Sequence, residues 1–320
     1  MSDSTQKSKV GVLGAGLMGH AIAQLMAQGG CQVTLFDNDP EMLRAVPERI
    51  KKNYQVFIKL GMITPEQVDG TLANITLCQD LRGLCQDRDF IIEAVKENLA
   101  LKQELFAAME ELVPEHCILA SNTSSISIGK ISANLKRPQR VLGTHFWNPP
   151  HVVPGVEVIK SPYTSDQAFE AVCGLLSRVG KTPVRVLKDV PGFVGNRMQH
   201  ALWREAIQLV ERGIASAEDV DKAIKVGFGL RFSVLGMLEF IDWGGGDILY
   251  YASKYLSGKV DPRFESPAII ASNMNSQRNG IRDGVGFYDY DSIDVDAYRH
   301  ARMQDFVEML KSRKLLPEEG

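Results

Sequence analysis

Between the apolar run "KVGVL" and the helical stretch "HAIAQLMAQ" the chain reads Gly14-Ala15-Gly16-Leu17-Met18-Gly19, a GxGxxG pattern. In a chain with 28 glycines the pattern alone says little. Its setting says more: a strand leads in, a helix opens inside it, and Asp37 closes the next strand 18 residues beyond Gly19. In that setting the first glycine makes the tight turn, the second admits a pyrophosphate against bare backbone, and the third lets helix and strand pack closely. The phosphates then face free N–H groups at a helix start, Leu17 and Met18 among them. Asp37 is placed to accept from the ribose hydroxyls and would repel a 2′-phosphate. "Asn-Asp" follows it at 38 and 39, where no arginine stands, so NAD is expected over NADP. A flavin dinucleotide shares the same cradle, but no second flavin-type segment is evident.

A nucleotide loop of this kind belongs to alternating strands and helices, and the first half of the chain supplies them. "QVTLFD", "FIIEAV", "CILASNT", "RVLGTHF", "GVEVIK" and "TPVRVLK" read as further strands, with helical stretches between several of them. Gly29-Gly30 closes the helix after the loop. Beyond "DVPGFVGNR" the pattern changes to helices. The first is long and amphipathic, with Met198, Leu202, Leu209 and Val210 suited to a buried stripe, and another is announced by the capping sequence "SAED" at 216 to 219. The expectation is an α/β fold, a Rossmann-type doubly wound sheet over 1–188, followed by a smaller all-helical domain over 189–320.

Composition narrows the function. A net charge of −3 over 320 residues offers no electrostatic case for nucleic acid or an anionic membrane. No apolar run approaches the ~18 residues of a membrane span, and the polar opening "MSDSTQKSK" lacks the apolar core of a secretory signal. The five cysteines are scattered, with no CxxC pair and no zinc spacing. A cytoplasmic protein without a metal is expected.

One stretch raises a chemical question. In "GTHFWNPPHVVPGVEVIK", His145 and Glu157 lie on two apolar runs separated by Pro149-Pro150. Both are costly to bury unpaired, so they satisfy each other as a core pair or they do chemistry. Together with "GAGLMG", the stretches "EAVKEN" at 93–98, "ASNTSSISI" at 120–128, "THFWNPP" with "VEVIK", and "DVPGFVGNR" resemble the L-3-hydroxyacyl-CoA dehydrogenase family, over nearly the whole chain to "GVGFYDY". The resemblance is to its 3-hydroxybutyryl-CoA dehydrogenases in particular. It implies an NAD-dependent enzyme that interconverts 3-hydroxy and 3-oxo groups. His145 would be the general base and Glu157 the carboxylate that fixes its tautomer. Ser124 and Asn196 would hold the reacting oxygen, though a turn residue and a helix cap are their plain alternatives. Glu93, Glu97 and Asn122 would stand close to the cofactor, where the family uses a glutamate and a lysine. It also implies a homodimer joined through the helical domain.

Two departures bear on the substrate. The early helical domain reads "GFGLRFSVLGML" in place of a Pro-x-Gly-Pro segment, and "NPPHVVP" replaces "NPxPxMK". Both look more like relatives acting on free hydroxy acids: carnitine dehydrogenase, gulonate dehydrogenase with its lambda-crystallin cousin, and a vitamin B6 breakdown dehydrogenase. Arg231 would then clamp a substrate carboxylate. Lys51, Lys52 and Lys59 would instead meet the phosphates of CoA, unless they are a solvated helix face. A short-chain 3-hydroxyacyl-CoA is the leading expectation and a free hydroxy acid the alternative. A non-catalytic NAD-binding protein and a lysine-based hydroxyacid dehydrogenase, for which only Lys188 is available, are further readings. The run Trp243 to Gly246 is expected to break a helix.

Overall fold

The computed structural model describes residues 7–260, 265, 267–313 and 315. Eight strands form one sheet: β1 (Lys9–Leu13), β2 (Gln32–Phe36), β3 (Ile75–Cys78), β4 (Phe90–Glu93), β5 (Ile118–Ser121), β6 (Val141–Phe146), β7 (Gly155–Ile159) and β8 (Thr182–Val186). Their order is β3-β2-β1-β4-β5-β6-β7-β8, and every neighbouring pair is parallel except β6 and β7. The order reverses between β1 and β4, which opens a crevice at the carboxyl ends of those strands where a dinucleotide fold binds its ligand. The Rossmann-type sheet expected from the sequence is therefore present.

Helices cover both faces, which is why the strands read as continuous apolar runs instead of alternating ones. Neighbouring residues serve opposite cores: Ile92, Ala120 and Leu142 join Val10, Ile22 and Met26, while Ile91, Leu119 and Val141 join Phe106 and Met109. Seven of the strands are those expected. The eighth, β3, is one of the two edge strands, is only four residues long, and has two of its side chains exposed, so it offers little apolar run to read.

The chain divides into two compact units between Trp203 and Arg204. Among the described residues the second unit is helical, with only isolated bridges at Gly280–Val285 and Val285–Asp289. Ser216 caps the helix Ala217–Ala223 as expected. Gly245, at φ +102, breaks the chain between Met237–Gly244 and Gly246–Lys259. Buried Asp242 accepts from the backbone N–H of Phe287 and Tyr288 (2.9 and 2.8 Å), so "GVGFYDY" is tied down by one carboxylate. One expectation is corrected. The helix Gly195–Glu211 buries none of its residues, and Met198, Leu202 and Val210 are 48%, 39% and 40% exposed. The apolar stripe is there, but the single chain does not cover it.

Candidate active site

The glycine loop turns as its sequence requires. Gly14 sits at φ +102, a backbone region that L side chains rarely adopt. A Cβ at Gly19 would overlap the Gly14 carbonyl, so this glycine sets the close approach of α1 (Gly19–Gln28) to β1. Space above Gly16 is open: a Cβ there would meet nothing within 4 Å. The loop borders a cleft of about 840 Å³ at the switch point, lined by Gly14, Gly16, Leu17, Met18 and Asp37 on one side and by Ala94, Val95 and Lys96 on the other. Asp37 accepts from Ala15 N (2.7 Å) and Asp39 N (2.9 Å). A carboxylate has about four acceptor positions, which leaves two for ribose hydroxyls. Cradle, open space and acceptor together fit an adenine dinucleotide.

Next to this cleft the strand register answers the His145 question. In the antiparallel pair β6–β7, His145 stands directly opposite Glu157, so both side chains leave the same face. The imidazole Nδ1 lies 2.6 Å from Glu157 Oε2, with both residues buried. Glu157 Oε1 accepts from Val194 N (2.9 Å) and Gly195 N (2.8 Å), which start the helix Gly195–Glu211. Burial alone would push the Glu157 carboxyl up. The hydrogen bonds from His145 and the two backbone N–H groups outweigh it and hold the carboxyl below its usual value. An ionised carboxylate on Nδ1 keeps the proton there in the neutral ring and presents Nε2 as a base.

From that helix start the network runs on to Ser124. Asn196 Nδ2 donates to the Ser124 carbonyl at 3.1 Å, and the Ser124 side chain is exposed. The Ser124 loop is itself held by Glu97, whose Oε1 accepts from Thr123 Oγ1 (2.5 Å), Ser124 N (3.1 Å) and Ser125 N (3.1 Å). Burial would raise the Glu97 carboxyl, but these bonds and nearby Lys102 lower it. Asn122 Oδ1 accepts from Phe146 N (2.9 Å), tying the end of β5 to the residue after His145. Glu93 is fully buried and takes Val95 N (2.7 Å), Ser121 Oγ (2.6 Å) and Lys102 Nζ (2.7 Å). Its contacts face inward to the ends of β4 and β5.

His145, Glu157, Asn196, Ser124, Glu97 and Glu93 thus form one continuous polar network at the carboxyl edge of the sheet. Arg231 belongs to the second unit, exposed on the short helix Gly229–Phe232, with its guanidinium 4.1 Å from the Phe240 ring centre. Lys102, 1% exposed and within reach of both Glu93 and Glu97 (2.7 and 3.4 Å), is absent from the sequence-derived set. A lone lysine on a helix reads as solvated, and only the family's glutamate-and-lysine habit near "EAVKEN" hinted otherwise. Among the described residues no helix is long and apolar enough to cross a membrane.

The chain is similar to known proteins over nearly its whole length. Residues 9–190 match the profile of the 3-hydroxyacyl-CoA dehydrogenase NAD binding domain, and residues 192–290 that of the 3-hydroxyacyl-CoA dehydrogenase C-terminal domain. A 3-hydroxybutyryl-CoA dehydrogenase of Mycobacterium tuberculosis is 38% identical over 293 residues, covering 91% of this chain and 100% of that one. The 5-formyl-3-hydroxy-2-methylpyridine 4-carboxylate 5-dehydrogenase of Mesorhizobium japonicum is 32% identical over 93% of this chain and 96% of its own. Among solved structures, a 3-hydroxyacyl-CoA dehydrogenase from Archaeoglobus fulgidus superposes with a TM-score of 0.81 at 33% identity, covering 97% of this chain and 100% of that one.

Proposed function

Because this chain belongs to the 3-hydroxyacyl-CoA dehydrogenase family and is an NAD-dependent oxidoreductase of CH–OH groups, we propose that it interconverts the 3-hydroxy and 3-oxo forms of a short-chain acyl-CoA with His145 as general base. NAD, when bound, supplies the hydride acceptor. His145 Nε2 takes the hydroxyl proton of the alcohol. Glu157 holds the Nδ1 proton and favours the imidazolium that results. Ser124 and Asn196 hold the reacting oxygen, an arrangement whose donors act most strongly in a water-poor site. Glu93, Glu97 and Asn122 keep the cofactor and substrate loops in register. The observation that carries this reading is the His145–Glu157 pair, set by strand register and locked through Gly195 to Asn196 and Ser124.

A second reading has its own support. The relative from M. japonicum, named for a pyridine carboxylate, spans 93% of the chain. On and just after the helix Val46–Lys59, Lys51, Lys52 and Lys59 are exposed among exposed Val56, Leu60 and Met62, as on an ordinary solvated helix face. Lys51 is paired with Glu48 (3.1 Å). On this reading the substrate is a free hydroxy acid and Arg231 grips its carboxylate.

NADH absorbance at 340 nm, falling as acetoacetyl-CoA is reduced or rising as a hydroxy carboxylate is oxidised by NAD, separates the two. Turnover of acetoacetyl-CoA supports the first reading. Silence there, with activity on small hydroxy carboxylates that is lost in Arg231→Met, replaces it with the second. We also read the molecule as a cytoplasmic homodimer, with 189–320 serving substrate binding and assembly.

A further inference from the structure

The face of the glycine loop turned away from the cleft carries an arrangement that the reaction does not account for. Two side chains reach two consecutive loop carbonyls. Arg49 Nη1 donates to Ala15 O at 2.7 Å, and His20 Nδ1 lies 2.7 Å from Gly16 O. A carbonyl can only accept, so His20 carries its proton on Nδ1 and offers Nε2 as an acceptor. Asn53 Nδ2 approaches that nitrogen at 3.3 Å and also donates to Gln24 Oε1 at 2.7 Å. Arg49 and Asn53 are four apart on the helix Val46–Lys59, and His20 and Gln24 are four apart on α1, so two facing helix stripes interlock. His20 is 5% exposed and Gln24 1%.

Peptide geometry turns this into a statement about the cofactor. In a planar trans peptide the C=O and the following N–H point in opposite directions. Pinning Ala15 O aims the N–H of Gly16 the other way, and pinning Gly16 O does the same for Leu17. Both Gly16 and Leu17 line the cleft. Gly16 lacks a Cβ and Leu17 is exposed, and beside the two side chains the Gly16 carbonyl accepts only a long backbone bond from His20 N (3.4 Å) among the described residues.

We propose that His20 and Arg49 are positioning residues for the pyrophosphate cradle, gripping the loop carbonyls so that the Gly16 and Leu17 N–H groups are aimed at the phosphates before NAD arrives. Preorganised donors bind more tightly because their ordering precedes binding. The helix Val46–Lys59 is, in this arrangement, part of the cofactor site without touching the cofactor.

The test uses the full-length protein and three probes: NADH by fluorescence, and ADP-ribose and adenosine by competition against it. Only NADH and ADP-ribose carry the pyrophosphate. His20→Phe and Arg49→Met are each expected to weaken NADH and ADP-ribose about tenfold, an order-of-magnitude figure for one hydrogen bond to a charged or oriented group. Adenosine should change less than twofold, and kcat at saturating NAD should stay within about twofold. Arg49→Lys and His20→Asn keep a donor near each carbonyl and should recover most of the affinity. Equal loss for all three probes would mean general damage to the fold and overturns the proposal, as would unchanged ADP-ribose affinity or a fall in kcat at saturation.

Discussion

At the scale of single residues, Glu157 makes the most testable claim. It meets three donors, His145 and two backbone N–H groups, in a site closed to water. Glu157→Gln keeps the shape but removes the charge that favours the imidazolium. It should lower kcat by about 10²–10⁴-fold, comparable to neutralising the acid of a catalytic triad, while KM for NAD stays nearly constant. Stability follows the same group. Its folded pKa lies below the ordinary 4.5, so the ionised carboxylate favours the native state. That contribution is complete above about pH 4.5 and is lost as pH falls through the lower folded value. In urea unfolding, the gap between wild type and Glu157→Gln should close as pH falls below about 4.5, through the lower folded value of the carboxyl. A gap that stayed open at pH values well below the carboxyl's titration would contradict this account of Glu157. His145 and Glu157 were legible in the sequence because a buried imidazole and carboxylate demand explanation. Lys102, His20 and Arg49 were not, because nothing local tells a lysine or arginine on a helix that a carboxylate or a loop carbonyl will fold over it.

At the scale of elements, the β6–β7 hairpin and the helix that follows β8 are joined by one aromatic ring. A Cβ at Gly195 would lie 2.7 Å from Trp147 Cζ2 and 3.1 Å from Cε2 and Nε1, and a Cβ at Gly155 would also strike the indole. The ring therefore rests on bare backbone from both β7 and the helix Gly195–Glu211. Gly195→Ala should push the helix start away from Trp147, and with it the two N–H groups that Glu157 accepts. Because displacements near 1 Å at a reacting centre can cost about 10²-fold, kcat should fall at least about tenfold. NADH affinity should hold, since its cleft lies at the β1–β4 switch point. Adding Trp147→Phe removes the clashing indole atoms and should restore part of the rate. Failure of that second substitution to recover anything would show that Gly195 acts through backbone freedom instead. Most of the seven strands that could be read are buried on both faces and largely apolar, and the edge strand β8 was read from its β-branched run in spite of exposed Thr182 and Arg185. β3 could not, because it is only four residues long, half exposed, and no residue of it is fully buried. "DVPGFVGNR" marked a boundary through its Pro-Gly punctuation, but the contact of Gly195 with Trp147 is 48 residues long in sequence and leaves no local signature.

At the scale of the whole molecule, the exposed apolar helices ask for a partner. Helices Gly195–Glu211, Ala217–Ala223 and Val295–Ser312 bury no residue in the single chain. Trp203, Ile207, Tyr251 and Met303 are 48%, 58%, 63% and 56% exposed. Helix propensity alone rarely sustains such elements in water; most helical stability comes from packing an apolar face. Scattered exposed apolar residues are ordinary, but concentration on one set of helices marks an interaction surface. A second copy of the chain is the simplest cover, and a stable interface of about 1,200–2,000 Å² would suit it. Light scattering should therefore give twice the chain mass of 35.4 kDa. Trp203→Arg combined with Ile207→Glu should shift the mass toward the monomer at micromolar concentration and lower the thermal midpoint. ADP-ribose binding should survive, because its cleft is built wholly from the first unit. A wild-type mass of one chain with full activity would mean that the exposed helices serve something other than self-association.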